Sequence, residues 1–102
     1  MPLTPEQKKQ YKSIGHHLKP VLIVAENGLT DGVIAELDRA LSDHELIKVK
    51  FNIVDREERV ASIAALCKAG RADLVQSIGK MALVYRKNAQ PNRNLSNIHR
   101  FQ

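Results

Sequence analysis

Tryptophan is absent, and the remaining aromatics are two Tyr and two Phe in 102 residues. With so few rings, a stacking platform of the kind an RNA recognition motif presents is excluded as the main mode of any nucleic-acid contact. Cysteine is nearly absent too. The lone Cys67 rules out an internal disulfide framework and a cysteine-based zinc site, and fits a reducing compartment. The longest apolar run, Val21-Leu22-Ile23-Val24-Ala25, is too short to cross a bilayer. Met1-Pro2-Leu3-Thr4-Pro5 lacks the charged-then-apolar layout of a signal peptide. The sequence therefore predicts a soluble, cytoplasmic protein with no membrane contact.

Catalytic spacing is also missing. His16 and His17 are adjacent, so on a helix they diverge by about 100° and cannot share a metal. His44 and His99 lie in unrelated segments, and no HxxxH, HExxH, GxSxG or Walker pattern occurs. Cys67 falls on an apolar helical stripe, which predicts a core thiol and not a nucleophile. Asp55, Glu57 and Glu58 are explained by capping and by the helix dipole. The expectation is a non-enzyme with no cofactor, metal or small-molecule substrate.

What is present is charge, unevenly placed. Of the net +5, residues 1–30 hold four Lys against two Glu, and residues 61–102 hold seven bases against Asp73 alone. Residues 31–60 reverse the balance, with eight acids against five bases. A basic outer part around an acidic middle predicts two faces of opposite sign, and the partner that fits the positive one is nucleic acid.

Periodicity gives the order α-β-α-β-α-β-β in one domain, since 102 residues leave no room for a second core. Thr4, Pro5 and Gln7 form a helix start that runs to about residue 17, burying Tyr11, Ile14 and Leu18, with Lys8, Lys12 and His16 on another stripe. A strand over residues 21–25 reads as covered on both faces because its apolar run is continuous. Thr30 caps a helix over residues 31–43 that buries Val33, Ile34, Leu37, Ala40 and Leu41. Residues 46–54 alternate, with Ile47, Val49, Phe51 and Ile53 on one side and Lys48, Lys50 and Asn52 on the other. Asp55 to Glu58 opens a third helix ending at Gly70, with Val60, Ile63, Ala64 and Cys67 as its stripe and Leu66 on the flank. Strands over 72–78 and 80–86 meet around Gly79. The fold class is α/β, a four-stranded mixed sheet packed with three helices. Residues 1–87 form the domain, and 88–102 read as a basic, Asn-rich tail, mobile or loosely docked.

Two segments carry binding character. The turn Ala25-Glu26-Asn27-Gly28-Leu29-Thr30 leaves a strand and opens a helix, whose free N–H groups and positive dipole end suit a phosphate. The second segment runs from Gly79-Lys80 to Tyr85-Arg86, with Lys80 and Arg86 at the same strand parity and both heads expected in solvent. Expected backbone contacts come from Gly28 and Leu29, and polar contacts from Asn27 and Thr30. Expected phosphate contacts come from Lys12, Lys19, Lys48, Lys80 and Arg86. Tyr85 reads as partly core, with base stacking as its alternative role. The competing reading is an adaptor whose acids Asp31, Glu36, Asp38, Asp43 and Glu45 bind a basic ribosomal protein. A double-stranded DNA binder is disfavoured, because no helix is both basic and exposed like a recognition helix.

The runs Leu18-Lys19-Pro20-Val21-Leu22-Ile23-Val24, Asn27-Gly28-Leu29-Thr30-Asp31-Gly32-Val33, His44-Glu45-Leu46-Ile47-Lys48-Val49-Lys50 and Gly79-Lys80 to Tyr85-Arg86 together resemble the CRM domain (chloroplast RNA splicing and ribosome maturation). The likeness spans residues 4–87 and is strongest to the stand-alone bacterial YhbY-like members. It implies a fold similar to the C-terminal domain of translation initiation factor three. It also implies RNA binding and association with ribosomal RNA in large-subunit precursors, and the chain is expected to act as a monomer. The family's GxxG loop falls on Ala25-Glu26-Asn27-Gly28, where only the second glycine matches.

Overall fold

A computed structural model describes residues 3–100, with side chains through residue 98. Helix α1 (Pro5–Gly15) starts on a complete capping box. The Thr4 hydroxyl accepts from the Gln7 N–H at 3.1 Å, and the Gln7 side chain accepts from the Thr4 N–H at 3.0 Å. Strand β1 (Pro20–Val24) leads to α2 (Asp31–His44), which is capped by Thr30. Strand β2 (Leu46–Phe51) and α3 (Arg56–Gly70) follow, then the hairpin β3 (Asp73–Ile78) and β4 (Met81–Tyr85). A short α4 (Asn97–Arg100) ends the described chain. Asp55 caps α3, its carboxylate accepting from the Glu58 N–H at 2.9 Å.

The sheet has the order β1-β2-β4-β3. β1 runs parallel to β2, as a strand joined through a crossover helix must, and β4 inserts antiparallel between β2 and β3. The β3–β4 turn is the two residues Gly79-Lys80, and Gly79 takes φ +56°, the positive φ that a two-residue hairpin turn requires at its first central position.

The α2 and α3 helices cover one face of the sheet. Their core holds Leu37, Leu41, Ile63 and Leu66 against Leu22, Val24, Val49, Phe51 and Val84. α1 covers part of the other face, where Tyr11 and Ile14 meet Leu46, Val75, Leu83, Tyr85 and Ile98. Two sequence expectations change here. β1 is buried on one face only: Val21 and Ile23 are 49% and 56% exposed, because β1 lies at the sheet edge beyond the reach of α1. The apolar stripe of α3 is Ile63, Leu66, Cys67 and Gly70, whereas Val60 and Ala64 face solvent. Helix α3 ends at Gly70, as the sequence predicts, and the residue that follows it is left-handed. That residue is Arg71 (φ 54°, ψ 41°), and Gly70 serves close packing, since a Cβ there would lie 2.9 Å from Leu37 Cδ2.

In the stretch expected as a mobile or loosely docked tail, Asn88 and residues 96–98 are held against the domain, while residues 89, 90 and 92–95 are exposed. Ser96, Asn97 and Ile98 are buried. The Ser96 hydroxyl donates to Glu45 Oε1 at 2.7 Å, the Asn88 N–H donates to Glu45 Oε2 at 3.0 Å, and the Asn97 amide donates to the Leu46 carbonyl at 2.7 Å.

Candidate nucleic-acid interface

The loop after β1 is a closed turn. The Gly28 N–H donates to the Ala25 carbonyl at 3.0 Å, and Gly28 sits at φ +81°, a region that disfavours any residue with a Cβ. Space is not the constraint, since a Cβ at Gly28 would meet nothing within 4 Å. Asn27 and Glu26 are exposed. The Thr30 hydroxyl accepts from the Val33 N–H at 3.2 Å as the cap of α2, and Asp31 already places a carboxylate in the first turn. Leu29 packs against the main core, so its side chain belongs to the fold.

The cations fall into two groups with Lys48 and Lys50 between them. Lys80, in the hairpin turn, lies at the loop end of the sheet: its carbonyl accepts from the Phe51 N–H at 2.7 Å, and the adjacent Asn52 N–H donates to Val24 O at 2.7 Å. The turn and the loop are thus two strand spacings apart, about 10 Å. Lys12 is exposed on α1 and Lys19 is exposed just before β1, with His16 and His17 where α1 stops. Lys48 and Lys50 are half-buried on the α1 side of β2. Lys48 lines two recesses, one with Gly15, His16 and Met81 and the other with His17, Lys19 and His44. Among the described residues no lysine is ion-paired, so these charges face solvent uncompensated.

Arg86 differs from the expectation of a solvent-facing head. Its head is not in solvent but docked on α2 and the end of α3. It donates to the Asp38 carboxylate at 2.9 Å and to the Gly70 carbonyl, the Asp38 carbonyl and Ser42 Oγ, each at 3.0 Å. Equal strand parity with Lys80 does not put the two side chains in one environment, because Arg86 reaches α2 and the end of α3 while Lys80 is exposed in the turn. The acidic set also shrinks. Glu45 is 3% exposed and holds the C-terminal segment, and Asp38 is bound to Arg86. Asp31 and Glu36 remain exposed.

Tyr85 is core, its ring centroid 4.8 Å from that of Tyr11 in a tilted pair. Burial, and then the neighbouring Tyr11, pushes its phenol well above the ordinary tyrosine range. Neither ring is available for stacking. The sequence reading gave no role to Lys50 and none to Ile23 and Ile78, which share a face with it. The signal for Lys50 was its parity with Lys48. For the two isoleucines there was none, because apolar residues in strands read as core. His99 lies outside the described side chains. Among the described residues no group of three or more His, Cys, Asp or Glu could hold a metal ion, and no helix is long and apolar enough to cross a membrane.

Residues 3–86 match the CRS1 / YhbY (CRM) domain. The chain is 73% identical over 101 residues to the Pseudomonas aeruginosa protein named "Probable RNA-binding protein PA4753", covering 99% of this chain and 97% of that one. It is 43% identical over 88 residues to an "RNA-binding protein" of Haemophilus influenzae, covering 86% and 89%. Its fold is similar to the solution structure of the hypothetical protein SAV1595 from Staphylococcus aureus, with a TM-score of 0.76 and 30% identity over 87% of this chain and 93% of that one.

Proposed function

The chain belongs to the CRS1 / YhbY (CRM) domain family, and from that membership we propose that it binds RNA, associates as a monomer with large-subunit ribosomal precursors in the cytoplasm, and assists their assembly without catalysis. The observation that carries the RNA reading is the distribution of charge. Lys8, Lys9 and Lys12 lie on α1, Lys19 in the connection to β1, and Lys48 and Lys50 on the sheet face beneath α1, and among the described residues none is ion-paired. α2, on the opposite face, holds four acids against the single base Arg39. A polyanion is attracted to the first surface and repelled by the second. The names of the Pseudomonas and Haemophilus relatives support the same reading, and the ribosomal part rests on the resemblance to ribosome-maturation proteins.

In this reading Lys12, Lys19, Lys48, Lys50 and Lys80 neutralise phosphates, while Gly28 lets the loop backbone approach the strand closely, with Asn27 and Thr30 beside it. The protein acts by docking and moves no bond. Crosslinking in cells, followed by sequencing of the attached RNA, tests both levels. Large-subunit ribosomal RNA is the expected catch, with co-sedimentation on large-subunit precursors. Recovery of transfer or messenger RNA alone would retain RNA binding and remove the ribosomal role, and recovery of no RNA would remove both.

A further inference from the structure

α1 is 11 residues, about 16 Å long, and cannot roof a four-stranded sheet. Its contacts cover the rows holding Leu46, Tyr85, Leu83 and Val75. The next row toward the 25–30 loop lies open and crosses all four strands through direct partners: Ile23 to Lys50, Lys50 to Met81, and Met81 to Ile78. Ile23 is 56% and Ile78 63% exposed. Across three strand spacings the row spans about 14 Å. A recess where α1 ends continues it, lined by Gly15, His16, Lys48, Gln76 and Leu83.

We infer that this open row is the seat of unpaired RNA nucleotides, whose bases lie on the aliphatic floor of Ile23, Met81 and Ile78 while Lys48, Lys50 and Lys80 hold the flanking phosphates. The inference rests on the RNA-binding reading and narrows it to single-stranded segments, loops or bulges. Charge complementarity selects the occupant. A purely apolar strip would suit another protein surface, but here a lysine stands within the row, a second lies two residues along the same strand, and a third sits in the adjoining turn. That alternation fits a chain that is itself apolar on its base faces and anionic along its backbone. A duplex is a poor fit, because an A-form helix buries its base faces and presents phosphates and sugars. Aliphatic side chains take the place that rings occupy on other single-strand platforms, which fits a chain whose two tyrosines are consumed by the core.

The test compares an unstructured RNA of about twelve nucleotides, within the usual site size of one single-strand-binding domain, with the perfect RNA duplex of the same sequence, by fluorescence anisotropy at one salt concentration. The parent protein is expected to favour the single strand. Ile23→Ser with Ile78→Ser is expected to weaken single-strand binding roughly tenfold through lost apolar contact. Duplex binding, the salt dependence and the thermal midpoint should stay in place, since both side chains are already exposed. Lys50→Gln is the second variant, expected to weaken the same complex and lower its salt slope by about one. A double serine variant that binds the single strand like the parent overturns the inference while leaving RNA binding intact, and so does a parent that prefers the duplex. A parent that binds neither RNA overturns the RNA reading itself. Sedimentation equilibrium completes the set: a dimer that the serine variant abolishes would show that a second copy covers this face, and would also overturn the inference.

Discussion

The two cations that bracket β4 have opposite fates, and single substitutions should separate them. Lys80 lies in an exposed turn, so Lys80→Glu should leave stability within about 0.5 kcal/mol of the parent and weaken RNA binding. Arg86 spends its donors on Asp38, Ser42 and two helix carbonyls. The ion pair itself contributes little, because the Asp38 side chain is 70% exposed. The carbonyl contacts matter more, and Arg86→Met should lower stability by about 1–2 kcal/mol in urea unfolding. Arg86→Glu should lower it further by setting a second carboxylate beside Asp38. Cys67 offers a residue-level test of pH dependence. Burial, and next the charge of Asp73, raises its thiol pKa. The folded state therefore disfavours the thiolate, and this contribution to stability is complete below the unfolded thiol's pKa of about 8.5 and lost as pH climbs above it. At pH near 8.5, iodoacetamide should alkylate Cys67 more slowly in the native protein than in urea, and equal rates would show that the thiol is not shielded.

Two elements whose sequences look merely polar have structural consequences. The 25–28 turn depends on Gly28 at positive φ, so Gly28→Val should cost about 1–2 kcal/mol through backbone strain alone, given the open space around it. Glu26, exposed beside the start of α2, opposes any anion brought to that helix end. Glu26→Lys should tighten RNA binding by about 0.5–1.5 kcal/mol, the scale of one charge near a protein surface. If affinity does not move in either variant while both remain folded, the loop is only a turn and the contact lies on the sheet. The second element is the segment after β4. Ending the chain at residue 87 removes buried Ile98 from its cluster with Tyr11 and Leu46, and takes Asn88 and Ser96 away from the buried Glu45 carboxylate. A loss of about 2–4 kcal/mol in the urea midpoint analysis is expected. A truncated chain as stable as the parent would show that this docking contributes nothing.

At the scale of the whole molecule, the sheet separates charge. α1 holds three lysines against Glu6, and α2 on the other side holds four acids against one arginine. Phosphates drawn to the lysine side displace counterions, so the logarithm of the RNA binding constant should fall with the logarithm of salt concentration at a slope of about −3 to −5 for roughly four to six phosphates. A flat response would remove the electrostatic argument at its root. Reduced stability in the Arg86 variants should not alter that slope, because the Arg86 head is already engaged by Asp38, Ser42 and the Gly70 carbonyl.

Local physics made the elements legible. The Thr4–Gln7 box, the Thr30 and Asp55 caps, the alternation through Lys48 and Lys50, and the Gly79 turn are each set by contacts within a few residues, and the first three helices and the four strands lie where the sequence places them to within a few residues, whereas the short α4 was not legible. The resemblance to a family was legible as well, because it rests on ordered local motifs. The tertiary structure alone decided what depends on which surface covers which. An uninterrupted apolar run looks the same whether one face or both are buried, so the exposure of Val21 and Ile23 follows only from the edge position of β1 and the shortness of α1. The same holds for Arg86, whose partners lie 16 to 48 residues away, and for Glu45, whose carboxylate is met by residues 43 and 51 positions further on. Sequence spacing sets the face a side chain leaves from, and only long-range packing sets what it meets there.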